Sequence, residues 1–128
     1  MTLQPNTLFK GSLITLMLMI FGMIVIGGLT RLTGSGLSIV EWKPITGIFP
    51  PLTSYGWLIE FSKYQQSPEF QKINFGMTLP EFQSIFWLEY IHRLWGRLLG
   101  LVLLIPTFLM VFKRQHRELW FPLVLLWI

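Results

Sequence analysis

An uncharged run of 18 residues, Ser12 to Leu29, constrains this chain more than any other feature. That length sits at the lower end of what crosses a bilayer as a helix. A secretory signal is the competing reading, and three features weaken it. The run is long, a single lysine (Lys10) precedes it, and Gly27-Gly28-Leu29-Thr30-Arg31 stands where a small-residue cleavage site would be. The first ten residues also lack the arginine pattern of a mitochondrial transit peptide. The expectation is a first transmembrane helix over about 12–29.

Composition agrees. The 128 residues are 52% hydrophobic and 12% charged, with a mean hydropathy of +0.57. Soluble domains carry about 25% charged residues. There is no cysteine, which excludes disulfides and thiolate metal sites. The net charge is +4, but the basic residues form no single stripe and the background is lipid-like, which argues against a nucleic-acid partner. A second span is expected over about 85–112, with a kink at Pro106. A third apolar run starts at Leu119 and stops at Ile128, too short to cross a core of about 30 Å. The expectation is therefore an all-α membrane protein with two complete transmembrane helices plus the start of a third. The chain then reads as the N-terminal part of a larger protein.

Short connections rich in Lys and Arg stay in the cytoplasm. Lys113, Arg114 and Arg117 against Glu118 mark one such connection, and Lys10 agrees with it. The segment from about 30 to 84 balances Arg31, Lys43, Lys63 and Lys72 against Glu41, Glu60, Glu69 and Glu81, so it can cross. This predicts an inner (cytoplasmic) membrane protein with its N-terminus inside and a long outer loop. Loops longer than about 15 residues usually carry structure of their own. The aromatics Trp42, Phe49, Tyr55, Trp57, Phe61, Tyr64, Phe70 and Phe75 suggest the membrane interface. Residues 57–64 are expected to form a short interfacial helix with Ser54 as its cap. Gly34, Gly36, Pro44, Gly47, Pro50 and Pro51 predict turns. Thr78-Leu79-Pro80-Glu81 reads as a helix start with a capping box, so the second helix begins near Leu79.

That helix then passes through Glu89-Tyr90-Ile91-His92-Arg93-Leu94-Trp95-Gly96-Arg97. Ionisable groups at membrane depth are costly and point to function. At about 100° per residue, Glu89, His92, Arg93, Gly96, Arg97 and Gly100 share an arc of roughly 140°. Trp87, Ile91, Leu94, Trp95 and Leu98 take the other side. His92 reads either as a histidine hydrogen-bonded between helices or as an axial ligand to haem iron. Gly96 and Gly100 suit a flat macrocycle or close helix packing. Zinc is not supported by a single histidine, because His116 falls on the far side of the membrane in this topology. Arg93 and Arg97 either snorkel to the interface or pair with carboxylates, haem propionates included. Glu89 either pairs with Arg93 at i+4 or handles protons beside a ligand. Gly27 to Ser38 is not a phosphate loop, since no Gly-Lys-Ser/Thr follows. It reads as a helix end plus turns, with Arg31 at the interface.

The chain resembles the haem A synthases in their mitochondrial and alphaproteobacterial branch. The resemblance rests on Gly28-Leu29-Thr30-Arg31-Leu32-Thr33-Gly34-Ser35-Gly36-Leu37-Ser38, on Trp42-Lys43-Pro44 with Gly47 and Pro50-Pro51, and on Glu89-x-x-His92-Arg93-x-x-Gly96-Arg97. Another branch carries a cysteine pair in this loop, which is absent here. The resemblance implies an eight-helix bundle of two four-helix halves, each supplying two histidines to a haem pocket near the outer side. It implies haem b in the C-terminal half and haem O as substrate in the N-terminal half. The implied reaction oxidises the C8 methyl of haem O to a formyl group, with oxygen from water, to supply cytochrome oxidase. By matching position, His92 is the haem-iron ligand and Glu89 the catalytic acid. Arg93, Arg97 and Gly96 belong to the cofactor-binding set.

The partner histidine of the fourth helix and the whole C-terminal half do not occur in these residues. Catalysis is therefore expected of the intact protein, not of 128 residues alone. The expected partners are membrane lipid, haem O, the farnesyltransferase that makes haem O, and further copies of the chain. The competing readings are a di-haem cytochrome-b-like electron carrier, with no need for Glu89, and a non-catalytic gene remnant.

Overall fold

The computed structural model describes residues 7–113 and 120–125. The described residues are helical, with no strand among them. In chain order they form α1 (Thr7–Leu32), a single 3-10 turn (Thr46–Ile48), α2 (Ser54–Gln65), α3 (Pro68–Lys72), α4 (Leu79–Lys113) and α5 (Trp120–Leu125). The chain divides into two compact units. One, the span unit, is Met1–Gly22 with Trp95–Ile128; the other, the loop unit, is Met23–Leu94.

α1 and α4 are both long and apolar enough to cross a membrane. The helix expected over 12–29 is longer at both ends. Its 26 residues reach about 39 Å at 1.5 Å per residue, more than a hydrocarbon core needs. The 35 residues of α4 reach about 52 Å, so its first turns are available to something other than lipid. α4 starts at Leu79, where the capping-box sequence puts it and ahead of the span expected from about 85. Glu81 accepts from the Thr78 amide and hydroxyl, both at 2.7 Å, which closes the acidic half of the capping box. α4 continues as helix through Pro106, which is buried. The short helix α5 falls where a third apolar helix is expected. The predicted inner connection at Arg114, His116, Arg117 and Glu118 lies outside the described residues.

In the span unit the core is small: Leu16 and Leu103 are buried, with Leu13, Leu99 and Val102 against them. Met17, Leu18 and Phe21 are exposed, as lipid-facing side chains are. Polar side chains here close onto the helix's own carbonyls. Ser12 donates to Phe9 at 2.8 Å, Thr15 to Gly11 at 3.0 Å and Thr107 to Leu103 at 2.9 Å. Such back-bonding satisfies these three hydroxyls where lipid offers no partner. The Trp95 indole donates to the Met19 carbonyl at 2.8 Å, and its ring sits over Gly22.

The loop unit is built differently. Tyr64 and Phe82 are fully buried, Phe70 and Phe86 nearly so, and Ile39, Trp57, Phe61, Met77, Ile85 and Tyr90 pack around them. Tyr64 stacks on Phe82 at 5.2 Å, and Trp57 meets Phe86 edge-on at 4.9 Å. Burial of aromatics on this scale is what folds a loop in water. Burial removes some of these residues from any membrane interface. Trp57, Phe61, Tyr64 and Phe70 are core, while Trp42, Phe49, Tyr55 and Phe75 are exposed. A helix does form over the predicted residues 57–64, as part of α2, but its cap is Thr53, not Ser54; the Thr53 hydroxyl accepts from the Gly56 amide at 3.1 Å. α3 has its own signal, Ser67 as cap and Pro68 at the first position.

Candidate functional site

The site begins at the end of α1. Ser35 donates its amide to the Thr30 carbonyl at 2.9 Å, and Gly34 donates to Arg31 at 3.2 Å. This nested pair needs a left-handed residue between its arms, and Gly34 supplies φ +64°. The chain leaves the helix sharply. Ser35 and Ser38 are buried directly after it. The glycine-rich entry thus works as a helix stop that returns the chain toward α4, and Arg31 is exposed.

Glu89 receives that returning segment. It is 3% exposed. Its Oε2 accepts from the Ser38 hydroxyl at 2.7 Å and the Ile39 amide at 2.8 Å. Its Oε1 takes Arg93 Nε at 2.9 Å and Nη2 at 2.6 Å. The i,i+4 pair read from spacing therefore forms. Every partner donates, so the carboxylate acts only as an acceptor. Arg93 extends the lashing: Nη2 donates to the Ile39 carbonyl at 2.8 Å and Nη1 to the Glu41 carbonyl at 3.1 Å. Of the five N–H groups of a guanidinium, one on Nη1 is left over from these bonds among the described residues. Trp42 lies with its ring centroid 5.6 Å from the same guanidinium. Farther along, the Tyr90 hydroxyl donates to the Ile48 carbonyl. Residues 38–48 are thus held along α4 at the level of 89–93.

His92 is half-buried, and its Nε2 edge faces Gly27 of α1. Gly96 and Arg97 belong to the span unit, where both are half-buried. Glu89, His92 and Arg93 are brought together in the loop unit, which does not include Gly96 and Arg97. Among the described residues no group of three His, Cys, Asp or Glu side chains could hold a bare metal ion.

Two features near the site escaped the sequence reading. Ser38 and Ile39 lie 51 and 50 positions before Glu89, and no local periodicity links them. Glu69, on α3, has its Oε2 buried with no hydrogen-bond partner among the described residues. Burial pushes its carboxyl above the usual range, and the charge of Glu89 adds to that. Tyr64 is pushed up as well, chiefly by burial, while Asn74 donates to its hydroxyl at 2.7 Å. On the loop surface, Glu41 pairs with Lys43 at 2.5 Å and Lys63 at 3.0 Å, and these cations hold it below the usual range.

A family model described as cytochrome oxidase assembly protein matches residues 11–128. The chain belongs to this family. It is 58% identical over 102 residues to the haem A synthase of Nitrosomonas eutropha, covering 79% of this chain and 29% of that protein. It is 60% identical over 88 residues to the haem A synthase of Paramagnetospirillum magneticum, covering 69% and 25%. With the haem A synthase of Rickettsia felis it shares 54% identity over 96 residues, covering 75% and 28%. The chain thus spans under a third of the length of the curated relatives it matches. No solved structure matches it. As a member of the cytochrome oxidase assembly family it is a membrane protein, in keeping with α1 and α4.

Proposed function

We propose that the protein, at its full length, makes haem A by oxidising the C8 methyl of haem O to a formyl group, with oxygen drawn from water. Family membership and relatives named haem A synthase support this reading. The observation that carries it is a carboxylate 3% exposed, one helical turn from a half-buried imidazole, on a helix long enough to span a membrane.

The donor set fits haem better than a bare ion. A porphyrin needs only axial ligands from protein, and His92 offers one where no three-residue metal cluster is present among the described residues. When bound, the iron porphyrin supplies the redox chemistry. Glu89 supplies a proton acceptor beside it. To take a proton at Oε2, Glu89 must lose one donor. The Ile39 amide is fixed, but the Ser38 hydroxyl has a second acceptor, the Ile85 carbonyl at 3.3 Å. Turning that hydroxyl frees Oε2 without leaving Ser38 unpaired. Arg97 and Gly96 complete the haem-binding set in this reading, and Arg93 joins it through its one remaining N–H. The reading places haem b in the C-terminal half and the site near the outer face of the inner membrane. The basic residues Lys10, Lys113, Arg114 and Arg117 support an inside N-terminus. The farnesyltransferase that makes haem O is the expected supplier of substrate, and self-association is compatible with the reading.

Pigment analysis tests this. The full-length protein is expressed beside a haem O producer in cells lacking haem A, and extracted haems are separated. Haem A from the wild type, with haem O or a hydroxylated intermediate accumulating in Glu89→Ala, is expected. One observation favours a second reading: Glu89 is so fully engaged by the loop that it serves an electron carrier equally well as an anchor. Unchanged haem O with reversible haem redox in a folded wild type would select that carrier.

A further inference from the structure

We infer that Gly27 is the positioning residue for the His92 imidazole. A Cβ at Gly27 would stand 3.2 Å from His92 Nε2 and 3.7 Å from Cδ2. The first distance is tighter than ordinary van der Waals contact. The missing side chain is therefore the recess that admits one edge of the ring to the α1 backbone. A histidine side chain has two torsions, and seating this edge sets both. The Nδ1–Cε1 edge is then turned away from α1. The recess is local: a Cβ at the adjacent Gly28 would meet nothing within 4 Å. α1 holds one comparable notch in the span unit, at Gly22, where a Cβ would come 3.0 Å from Trp95 Cζ2. That notch takes an aromatic ring with no place in the proposed chemistry and serves as the control.

The orientation stands on the contact alone; its consequence for haem rests on the reading of His92 as an iron ligand. A Cβ at position 27 would displace the imidazole edge by a few tenths of an ångström, since the alternative is to move a helix backbone. Alanine is otherwise a better helix residue than glycine, so the helix itself is not weakened.

The test uses full-length protein in nanodiscs with 15N-labelled histidine, the His92 signals being those lost in His92→Gln. In haem-free protein, Gly27→Ala is expected to shift the His92 ring nitrogens, while Gly28→Ala and Gly22→Ala leave them in place. In haem-loaded protein, Gly27→Ala is expected to lose, in parallel, the share of low-spin haem absorption that is also lost in His92→Gln. Should Gly27→Ala fold poorly, combining it with His92→Ala must restore stability, because the small side chain removes the clash. Unmoved His92 signals in folded Gly27→Ala, an equal shift in Gly22→Ala, or no recovery in the double variant would each overturn the proposal. Full low-spin absorption in His92→Ala would instead remove the iron-ligand reading and leave the ring-orientation result standing.

Discussion

The span unit and the loop unit draw on the same two long helices, yet they are held by different forces. The span unit has a two-leucine core and hydroxyls folded back onto their own helix. The loop unit has an aromatic core and a buried carboxylate lashed to a segment 50 residues away. The difference follows from the solvent. Lipid is as apolar as leucine, so burial gains little there and packing must serve alone. A loop in water gains from every aromatic it buries, and it must pair every backbone donor it buries with them. Glu89, His92 and Arg93 all stand in the loop unit.

Glu89→Ala attacks that contrast hardest. It strands the Arg93 charge and leaves Ser38 and Ile39 donors unpaired. Breaking a buried ion pair costs about 3–5 kcal/mol, so the loop unit should open. Limited proteolysis should then cut near residues 38–48, and haem A should vanish. A cut pattern like the wild type's would show that Glu89 does not hold the loop. Glu89→Gln and Arg93→Lys sharpen the question. Equal losses of loop protection and of haem A in both would mean that Glu89 only anchors; loss of haem A with the loop still protected in Glu89→Gln would mean that its proton chemistry matters.

Phe82→Ala compares the two cores. In the loop unit it should cost about 3–5 kcal/mol. Leu103→Ala in the span unit should cost less than half of that, because the transfer contribution is absent in lipid. Hydrogen exchange on the two variants measures both, and equal costs would erase the distinction between the units. Gly34→Ala is smaller. A left-handed residue with a Cβ costs about 1–2 kcal/mol, and the effect should appear as a lower melting temperature with the loop contacts kept.

The finest effect is in pH. Glu69 has a raised carboxyl pKa, so the folded state holds its proton more tightly than the unfolded one. Stability should therefore fall as pH rises from the ordinary carboxylate range through the raised value. Glu41, held low by Lys43 and Lys63, acts in the opposite sense and loses its small contribution as pH falls. Glu69→Gln should flatten the first slope and leave the second. A slope that survives the substitution would point to another group.

Much of this is legible in the sequence. An uncharged run predicts α1, and Thr78-Leu79-Pro80-Glu81 predicts where α4 starts, because caps and spans are local. The Glu89–Arg93 pair follows from i,i+4 spacing. The cap of α2 fell one residue off, at Thr53, because adjacent Thr and Ser hydroxyls offer the same chemistry. The aromatics were harder. Trp42 and Trp57 look alike in sequence, yet one is 77% exposed and the other packs in the core.

By itself the sequence determined two membrane-length helices, the turn-rich exit of the first, and a helix face carrying Glu89, His92 and Arg93. These depend on periodicity and on contacts a few residues long. Only the tertiary structure decided which loop atoms fill the Glu89 and Arg93 hydrogen bonds, and which glycine makes room for His92. Backbone amides and carbonyls are the same at every position of a loop. The choice of Ile39 over its neighbours is made by the helix stop at Gly34 and the aromatic core together. The recess at Gly27 likewise exists only because another helix brings an imidazole to it.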